Sequence, residues 1–494
     1  MRYQSTRDKS ISISAATAIA RGLSHDGGLF VPETVPALPT DAVEKLISMS
    51  YQERAVYVMS LFLDDFSKDE LSGFADMAYG GFDHPDVAPL HKNDDATHFL
   101  ELWHGPTCAF KDMALQILPH FLTSSLVKTG EDRQVCILVA TSGDTGKAAL
   151  EGFCDVPRTK IMVFYPKDGV SDIQQLQMNT QAGDNVGVCA VVGNFDDTQT
   201  GVKTVFSDEL LRDELTKKGY FLSSANSINW GRLLPQIVYY VSAYCDLVKT
   251  GEIKANDEIN FCVPTGNFGN ILAGFYAKQM GLPIAKLICA SNCNDVLTEF
   301  IDTGVYDKNR QFHTTISPSM DILVSSNLER LLFELSGKDD ALISNYMSEL
   351  SKNGVYTVND AIKEKISVGF RCGFCSDEDT MQTIRETFEN SGYLIDTHTA
   401  VAYRVLNEYR KSTGDDAVTV VVSTASPYKF CDSVLQALGD SSDASGLDLI
   451  DRLSEVTKTN APQPLKSLRE KKVRFDKYVE KDEMLGVVKD FLVL

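Results

Sequence analysis

Six short apolar runs recur along the chain, each leading within a few residues into a helical stretch. They are VCILVAT (135–141), KIMVFYP (160–166), VGVCAVV (186–192), INFCVPT (259–265), AKLICAS (285–291) and VTVVVST (418–424). A strand that is apolar at nearly every position buries both faces, and a helix after each strand supplies the crossover a parallel sheet needs. The pattern predicts an α/β protein with mostly parallel sheets. Ahead of the first run, residues 41–80 read as helical, with Ser67 and Glu70 spaced as an S-x-x-E capping box. GGFDHPDVAPLHKNDD (80–95) is rich in Gly, Pro and Asp and marks a boundary. Residues 321–415 read as mostly helical, and the chain beyond about 440 is polar and mixed in charge. Within it, LKSLREKKVRFDKYVEKD (465–482) alternates both signs, the pattern of a solvated face. No repeat of fixed period is present, and a length of 494 residues fits roughly three domains.

Charge narrows the partners. With 47 Lys and Arg against 68 Asp and Glu, the chain carries −21, which disfavours nucleic acid and anionic membrane as partners. A small anion held in a local basic pocket is not excluded. The eleven cysteines do not form a disulfide framework, and Cys136, Cys262 and Cys289 sit inside apolar runs, where a reduced thiol packs as a small hydrophobe. No run reaches the roughly 18 apolar residues of a membrane span. Arg2, Arg7 and Lys9 precede ISISAATAIA (11–20), but that stretch is too rich in Ser, Thr and Ala for a signal peptide. The expectation is mature protein in the cytoplasm.

Three segments carry candidate chemistry. In ELWHGPTCAFKDMALQ (101–116), Lys111 stands just inside a helical pattern beginning near Ala109, among apolar neighbours. Desolvation there lowers the ammonium pKa and releases a nucleophilic amine. By itself, a lysine snorkelling from a helix end explains the residue as well. ATSGDTGKAAL (140–150) follows a strand and resembles a P-loop, but Gly143 and Gly146 are too close and Ala148 replaces the needed hydroxyl. FCVPTGNFGNILAG (261–274) runs from a strand through Gly266-Asn267-Phe268-Gly269-Asn270 into a helix, offering backbone N–H groups and a helix N-terminus to an anion. A tight strand-to-helix turn is the plainer reading of the glycines. Cys372-Gly-Phe-Cys375 lacks a second metal-ligand pair and a βαβ context, and it precedes a helix with Ser376 as N-cap. Packing is the expectation for Cys289 and Cys293. Of eight histidines only His104 and His398 lie in informative surroundings, and no metal is expected.

Taken together these segments resemble the threonine synthase family, pyridoxal-phosphate enzymes of fold type II. The resemblance begins at YQSTR (3–7) and GLSHDGGLFVPETVP (22–36). It continues through HGPTCAFKD (104–112), ATSGDTGKAA (140–149), NSINWGRLLPQ (226–236), PTGNFGN (264–270) and DTHTAVAY (396–403) to STASPYKF (423–430). It implies two α/β lobes with pyridoxal 5'-phosphate in the cleft. An N-terminal, mainly helical module would span residues 1–88, the catalytic region 89–440 and a C-terminal extension 441–494. Lys111 matches the lysine bonded to the cofactor, Gly266, Asn267, Phe268, Gly269 and Asn270 its phosphate cup, and Thr424 the hydroxyl facing the pyridine nitrogen. Ser142, Gly143, Asp144 and Thr145 match the loop whose N–H groups hold the substrate α-carboxylate, although the wider class commonly has Asn where this chain has Asp144. Asn226 and Arg232 match the grip on the substrate phosphate.

The implied reaction converts O-phospho-L-homoserine and water to L-threonine and phosphate by γ-elimination and β-addition. The implied protein is a monomer or homodimer without nucleic-acid or membrane partners. Two rivals stay open: a phospho-lyase giving 2-oxobutyrate, ammonia and phosphate on the same frame, and a non-catalytic binder of cofactor or phospho-ligand.

Overall fold

The computed structural model describes residues 1–494, the side chain of Asp196 excepted. All six apolar runs are strands, and they divide three and three between two sheets. Gln134–Ala140, Thr159–Pro166 and Val186–Val191 form one with Tyr220–Ser223 and Tyr478–Val479, every pairing parallel. Ile259–Pro264, Ile284–Ser291 and Thr419–Ser423 form the other with Thr97–Glu101, Leu90–Lys92 and Phe370–Phe374. Only Leu90–Lys92 runs antiparallel there, on the edge. Each sheet is the core of an α/β lobe, and helices cover the faces that the apolar pattern requires to be dry.

The predicted helical stretch ahead of the strands contains Ala42–Leu46, Tyr51–Ser60 and Lys68–Tyr79. The Ser67–Glu70 capping box forms, and a second closes the helix start at Ser50 and Glu53. Tyr3–Ser5 and Phe30–Pro32 pair as a short antiparallel ribbon beside these helices. This N-terminal part is tied down by more than apolar contact. Arg7 bridges Glu329 at 2.7 Å, and the buried Arg330 donates to the carbonyls of Phe30 at 3.0 Å and Ile228 at 2.6 Å. Tyr3 and Phe62 pack on Trp230 with ring centroids 5.5 and 5.7 Å away. Trp230 opens the helix Trp230–Thr250, which is buried along most of its length and whose first turn faces the cleft region.

Two elements differ from the expectation. The stretch 321–415 is mostly helical, but it also contains the strands Val355–Thr357 and Phe370–Phe374, and the latter is a full member of its sheet. FRCGF hides as a strand because Arg371 and Gly373 break its apolar character. Gly373 is used for approach: a Cβ there would lie 2.9 Å from Val405 on the overlying helix Thr397–Thr413. Cys372 therefore does sit at a parallel strand-to-helix junction, correcting the reading of the C-x-x-C as lying outside a βαβ context. Its Sγ donates to Asp302 at 3.1 Å, while the buried Cys375 lies against Thr380. The second difference is the charged tail. Residues 471–474 are exposed as expected, but Tyr478–Val479 then adds a fifth strand beside Val186–Val191. Among the described residues no helix is long and apolar enough to cross a membrane, and no cluster of three or more metal-ligating side chains forms.

Candidate active site

A cavity of about 500 Å³ is lined from both lobes. Lys111, Ser142, Thr145, Asn226, Arg232, Thr424 and the whole Gly266–Asn270 loop face it, so the sequence-predicted residues converge from segments far apart in the chain. Gly143 and Asp144 do not line it. A wider groove of about 1180 Å³, between the helix Ala15–Arg21 and Arg133 and Phe221, holds none of the predicted residues.

Lys111 is positioned by the turn before it. Asp112 is fully buried and accepts from the Thr107 N–H at 2.8 Å, the Thr107 hydroxyl at 2.7 Å and Gln116 Nε2 at 2.9 Å. Burial still raises the Asp112 carboxyl to about 6, against the pull of those bonds. The result is a rigid loop ending in one helical turn, Asp112–Leu115, with Lys111 at its cap position, later than the helix start expected near Ala109. Desolvation pulls the Lys111 amine down to about 8, with Asp144 opposing and Arg232 and Lys429 assisting. Among the described residues its one hydrogen bond goes to Ser319 Oγ at 3.3 Å.

The Gly266–Asn270 loop reaches the helix Gly269–Gln279 through Phe268, which holds a left-handed φ of 62°. A Cβ on Gly266 would lie 2.8 Å from the Ser319 carbonyl oxygen, so only glycine fits. Asn270 accepts at Oδ1 from Tyr239 at 2.6 Å and Tyr240 at 2.8 Å. With Oδ1 assigned to these two hydroxyls, Nδ2 is buried with no partner among the described residues. Arg232 is alike. It is 4% exposed, Nη1 donates to the Ala225 carbonyl at 2.8 Å, and its buried Nε has no partner. Burial with no facing carboxylate lowers the guanidinium to about 10. The Arg232 cation and the Asn270 amide at a helix N-terminus thus give the cavity two groups suited to anions.

The Ser142–Thr145 turn is finished differently. Thr141 Oγ1 already accepts from the N–H groups of Gly143 at 3.0 Å and Gly146 at 2.9 Å. Asp144 points away from the cavity: its Oδ1 meets Lys429 Nζ at 2.8 Å and Gln174 Nε2 at 2.8 Å. Burial opposes ionisation there, but Lys429 and Lys111 overcome it and hold the carboxyl well below its ordinary range. The Asp144 side chain therefore braces the turn from beneath, while Ser142 and Thr145 line the cavity wall.

Three features were not read from the sequence. Lys429 is a buried lysine in the fully buried STASPYKF segment, where a charge needs a buried partner. Ser319 carries no sequence signal. His398 had been singled out, but not its pairing with Asp396, at 2.8 Å between Nδ1 and Oδ2. His104, the other histidine of interest, lies outside the cavity between Asp83 and Glu101. Although burial opposes it, those two carboxylates raise its imidazole to about 9.

Comparison with known proteins adds three family matches: "Threonine synthase N terminus" over residues 2–79, "Pyridoxal-phosphate dependent enzyme" over 89–425 and "Threonine synthase, C-terminal" over 399–491. The chain is 42% identical over 432 residues to threonine synthase-like 1 of Homo sapiens, covering 85% of this chain but only 57% of that protein. It is 41% identical to the threonine synthase of Pseudomonas aeruginosa, over 88% of this chain and 90% of the other. Its fold superposes on the crystal structure of pyridoxal-phosphate-bound threonine synthase from Brucella melitensis with a TM-score of 0.88, at 37% identity, covering 100% of this chain and 98% of that one.

Proposed function

The chain belongs to the threonine synthase family of pyridoxal-phosphate-dependent enzymes, and from that premise we propose that it converts O-phospho-L-homoserine and water to L-threonine and phosphate. The observation carrying this reading is Arg232, a buried cation whose Nε has no partner among the described residues, lining the same cavity as a lysine whose amine is neutral above about pH 8. A phosphorylated amino acid needs both.

The cofactor fits the residues present. The cradle over Gly266 that no Cβ can enter and the free Nδ2 of Asn270 suit its phosphate, Lys111 its aldehyde, and the Thr424 hydroxyl its ring nitrogen. Once bound, it supplies an electron sink for charge developing at the substrate carbons. The protein does the rest. Asn226 and Arg232 hold the substrate phosphate, with the guanidinium fork suited to two oxygens. Ser142 and Thr145 face its carboxylate. Lys111 Nζ takes one proton from Cα and one from Cβ, and phosphate leaves Cγ with the electron pair of the broken C–O bond. One proton returns to Cγ and one to Cα, while water gives its hydroxyl to Cβ and its proton to the departing phosphate. Walls from two lobes keep water out until it adds at Cβ. Residues 1–88 brace this region, 89–440 form it and 441–494 extend the sheet of Gln134–Ala140, in a cytoplasmic monomer or homodimer.

The test is product analysis with O-phospho-L-homoserine. Threonine with equimolar phosphate is expected. Phosphate with 2-oxobutyrate and ammonia would assign a lyase instead, and no phosphate release would remove the substrate assignment. Arg232→Met is expected to raise KM for this substrate and leave cofactor binding intact.

A further inference from the structure

One stretch of the cavity wall matches none of the site residues assigned above. The single turn Pro318–Met320 lies between Lys111 and the Gly266 loop. Ser319 touches both: its Oγ accepts from Lys111 Nζ at 3.3 Å, and its carbonyl oxygen fills the space that a Gly266 side chain would need. The Ser319 N–H donates to His398 Nε2 at 3.2 Å. An Nε2 that accepts carries no proton, so the imidazole proton sits on Nδ1, which faces Asp396 Oδ2 at 2.8 Å. Asp396 is fully buried and is itself immobilised as the N-cap of the helix Thr397–Thr413, accepting from the N–H groups of His398 at 2.9 Å and Thr399 at 3.2 Å. The turn has little slack on its other side, because Asp321 just beyond it accepts from Asn292 at 2.7 Å and Asn294 at 3.1 Å.

We infer that Asp396, His398 and Ser319 form an orienting chain for the amine of Lys111, in which Ser319 Oγ is the seat the amine occupies when it is bonded to nothing else. His398 and Asp396 are positioning residues: they never reach the amine but fix the turn that presents Ser319. The need is physical. A lysine amine rides on a flexible four-carbon stem, and as a base it is useful only when its lone pair faces the atom it deprotonates. A hydrogen bond donated to a fixed hydroxyl removes one freedom of the amine and leaves its lone pair directed. The plain alternative, a histidine satisfied in the core, does not explain why its ring lines the cavity or why its acceptor nitrogen serves this turn rather than bulk packing.

The inference rests on the proposed function only for what Lys111 does, so its first test avoids turnover. In the full chain freed of cofactor, reductive methylation of Lys111 is followed by peptide mass spectrometry at pH 7. Ser319→Ala and His398→Leu are each expected to speed methylation by about fivefold, the worth of one neutral hydrogen bond. Ser319→Thr and His398→Gln, which keep a hydrogen-bond acceptor at each step, are expected to stay within about twofold of wild type. With substrate, Ser319→Ala and His398→Leu should each lower kcat by about tenfold with KM held, and the double variant should be no slower than the worse single one. Unchanged methylation in Ser319→Ala would overturn the inference, as would losses that simply add in the double variant. If His398→Leu fails to fold, the Ser319→Ala and Ser319→Thr pair still decides it. If wild type releases no phosphate, the functional reading falls while the methylation result stands.

Discussion

The two glycine-rich turns of this chain share a sequence grammar and end in opposite states. Each follows a buried strand, opens a helix and carries two glycines three apart, Gly143 and Gly146 in one, Gly266 and Gly269 in the other. Gly266–Asn270 leaves donors unspent: the Asn270 Nδ2 is buried and free, and the helix N-terminus opens on the cavity. The Ser142–Gly146 turn is braced internally, with Thr141 Oγ1 holding the N–H groups of Gly143 and Gly146 and a buried ion pair beneath it. The difference lies in what backs each turn. Neutral tyrosine hydroxyls behind Asn270 orient it and add no charge, whereas Lys429 and Gln174 behind Asp144 neutralise and pin it. One turn is finished as a receptor, the other as a strut.

The strut is the easier to break. Lys429→Met leaves the Asp144 carboxylate buried without its cation, an expected loss of about 3–5 kcal/mol in urea denaturation. Asp144→Asn with Lys429→Met should recover most of it, since the isolated charge goes with its partner. The pH dependence has a definite sign. The folded-state carboxyl is held below its ordinary value of 3.8, so the stabilisation is complete above that value and drains as acid carries the pH down through the folded value. An unchanged urea midpoint in Lys429→Met would mean that the ion pair does not support the turn.

Between the two turns sits Lys111, and it reports on both. Cofactor-free protein is expected to methylate there with a midpoint near pH 8, because burial outweighs the nearby carboxylate. Asp144→Asn removes the group that holds the amine up and should move the midpoint lower; a midpoint left at the ordinary value of 10.5 in wild type would refute the desolvated site. Glycine substitutions then separate the turns. Gly266→Ala pushes a Cβ into the Ser319 carbonyl, an overpacking cost of about 1–3 kcal/mol that should appear as weaker cofactor affinity, roughly tenfold. Gly143→Ala, at φ 130° with Gln174 at 2.5 Å from the new Cβ, should lower stability and leave affinity alone. If both act on affinity, the distinction between receptor and strut fails.

These contrasts also mark how far the sequence could be read. The six strands were legible because buried parallel strands are continuously apolar, and the lobe arrangement followed from the family resemblance. Phe370–Phe374 and Tyr478–Val479 were not, since edge strands need only one neighbour and tolerate Arg, Gly and Lys. Lys111, Arg232 and the Gly266 loop were legible from motifs. Which way Asp144 turns was not, because its partner lies 285 residues later and nothing in either motif pairs the two before the chain folds. Ser319 was invisible for the same reason: a serine in a loop says nothing until the fold brings it to the lysine.

The smallest expected effect tests the receptor turn directly. Asn270 Oδ1 accepts from two hydroxyls, so Tyr239→Phe removes one donor and leaves the other, and the loss in cofactor affinity should be about fivefold or less. Tyr240→Phe should cost slightly more, because the same hydroxyl also lies 2.9 Å from the Asn270 backbone carbonyl. With both hydroxyls gone nothing fixes the amide, and a rotated Asn270 would present its oxygen to the anion instead of its nitrogen. The double variant should therefore lose more than the two single losses combined, read by fluorescence titration of the cofactor-free chain with pyridoxal phosphate. Gln174→Leu, which strips a donor from the strut, should leave that titration unchanged and register only in the urea midpoint. Simple additivity at the tyrosines would mean that they pack beside Asn270 without orienting it, and the two turns would then differ in charge alone.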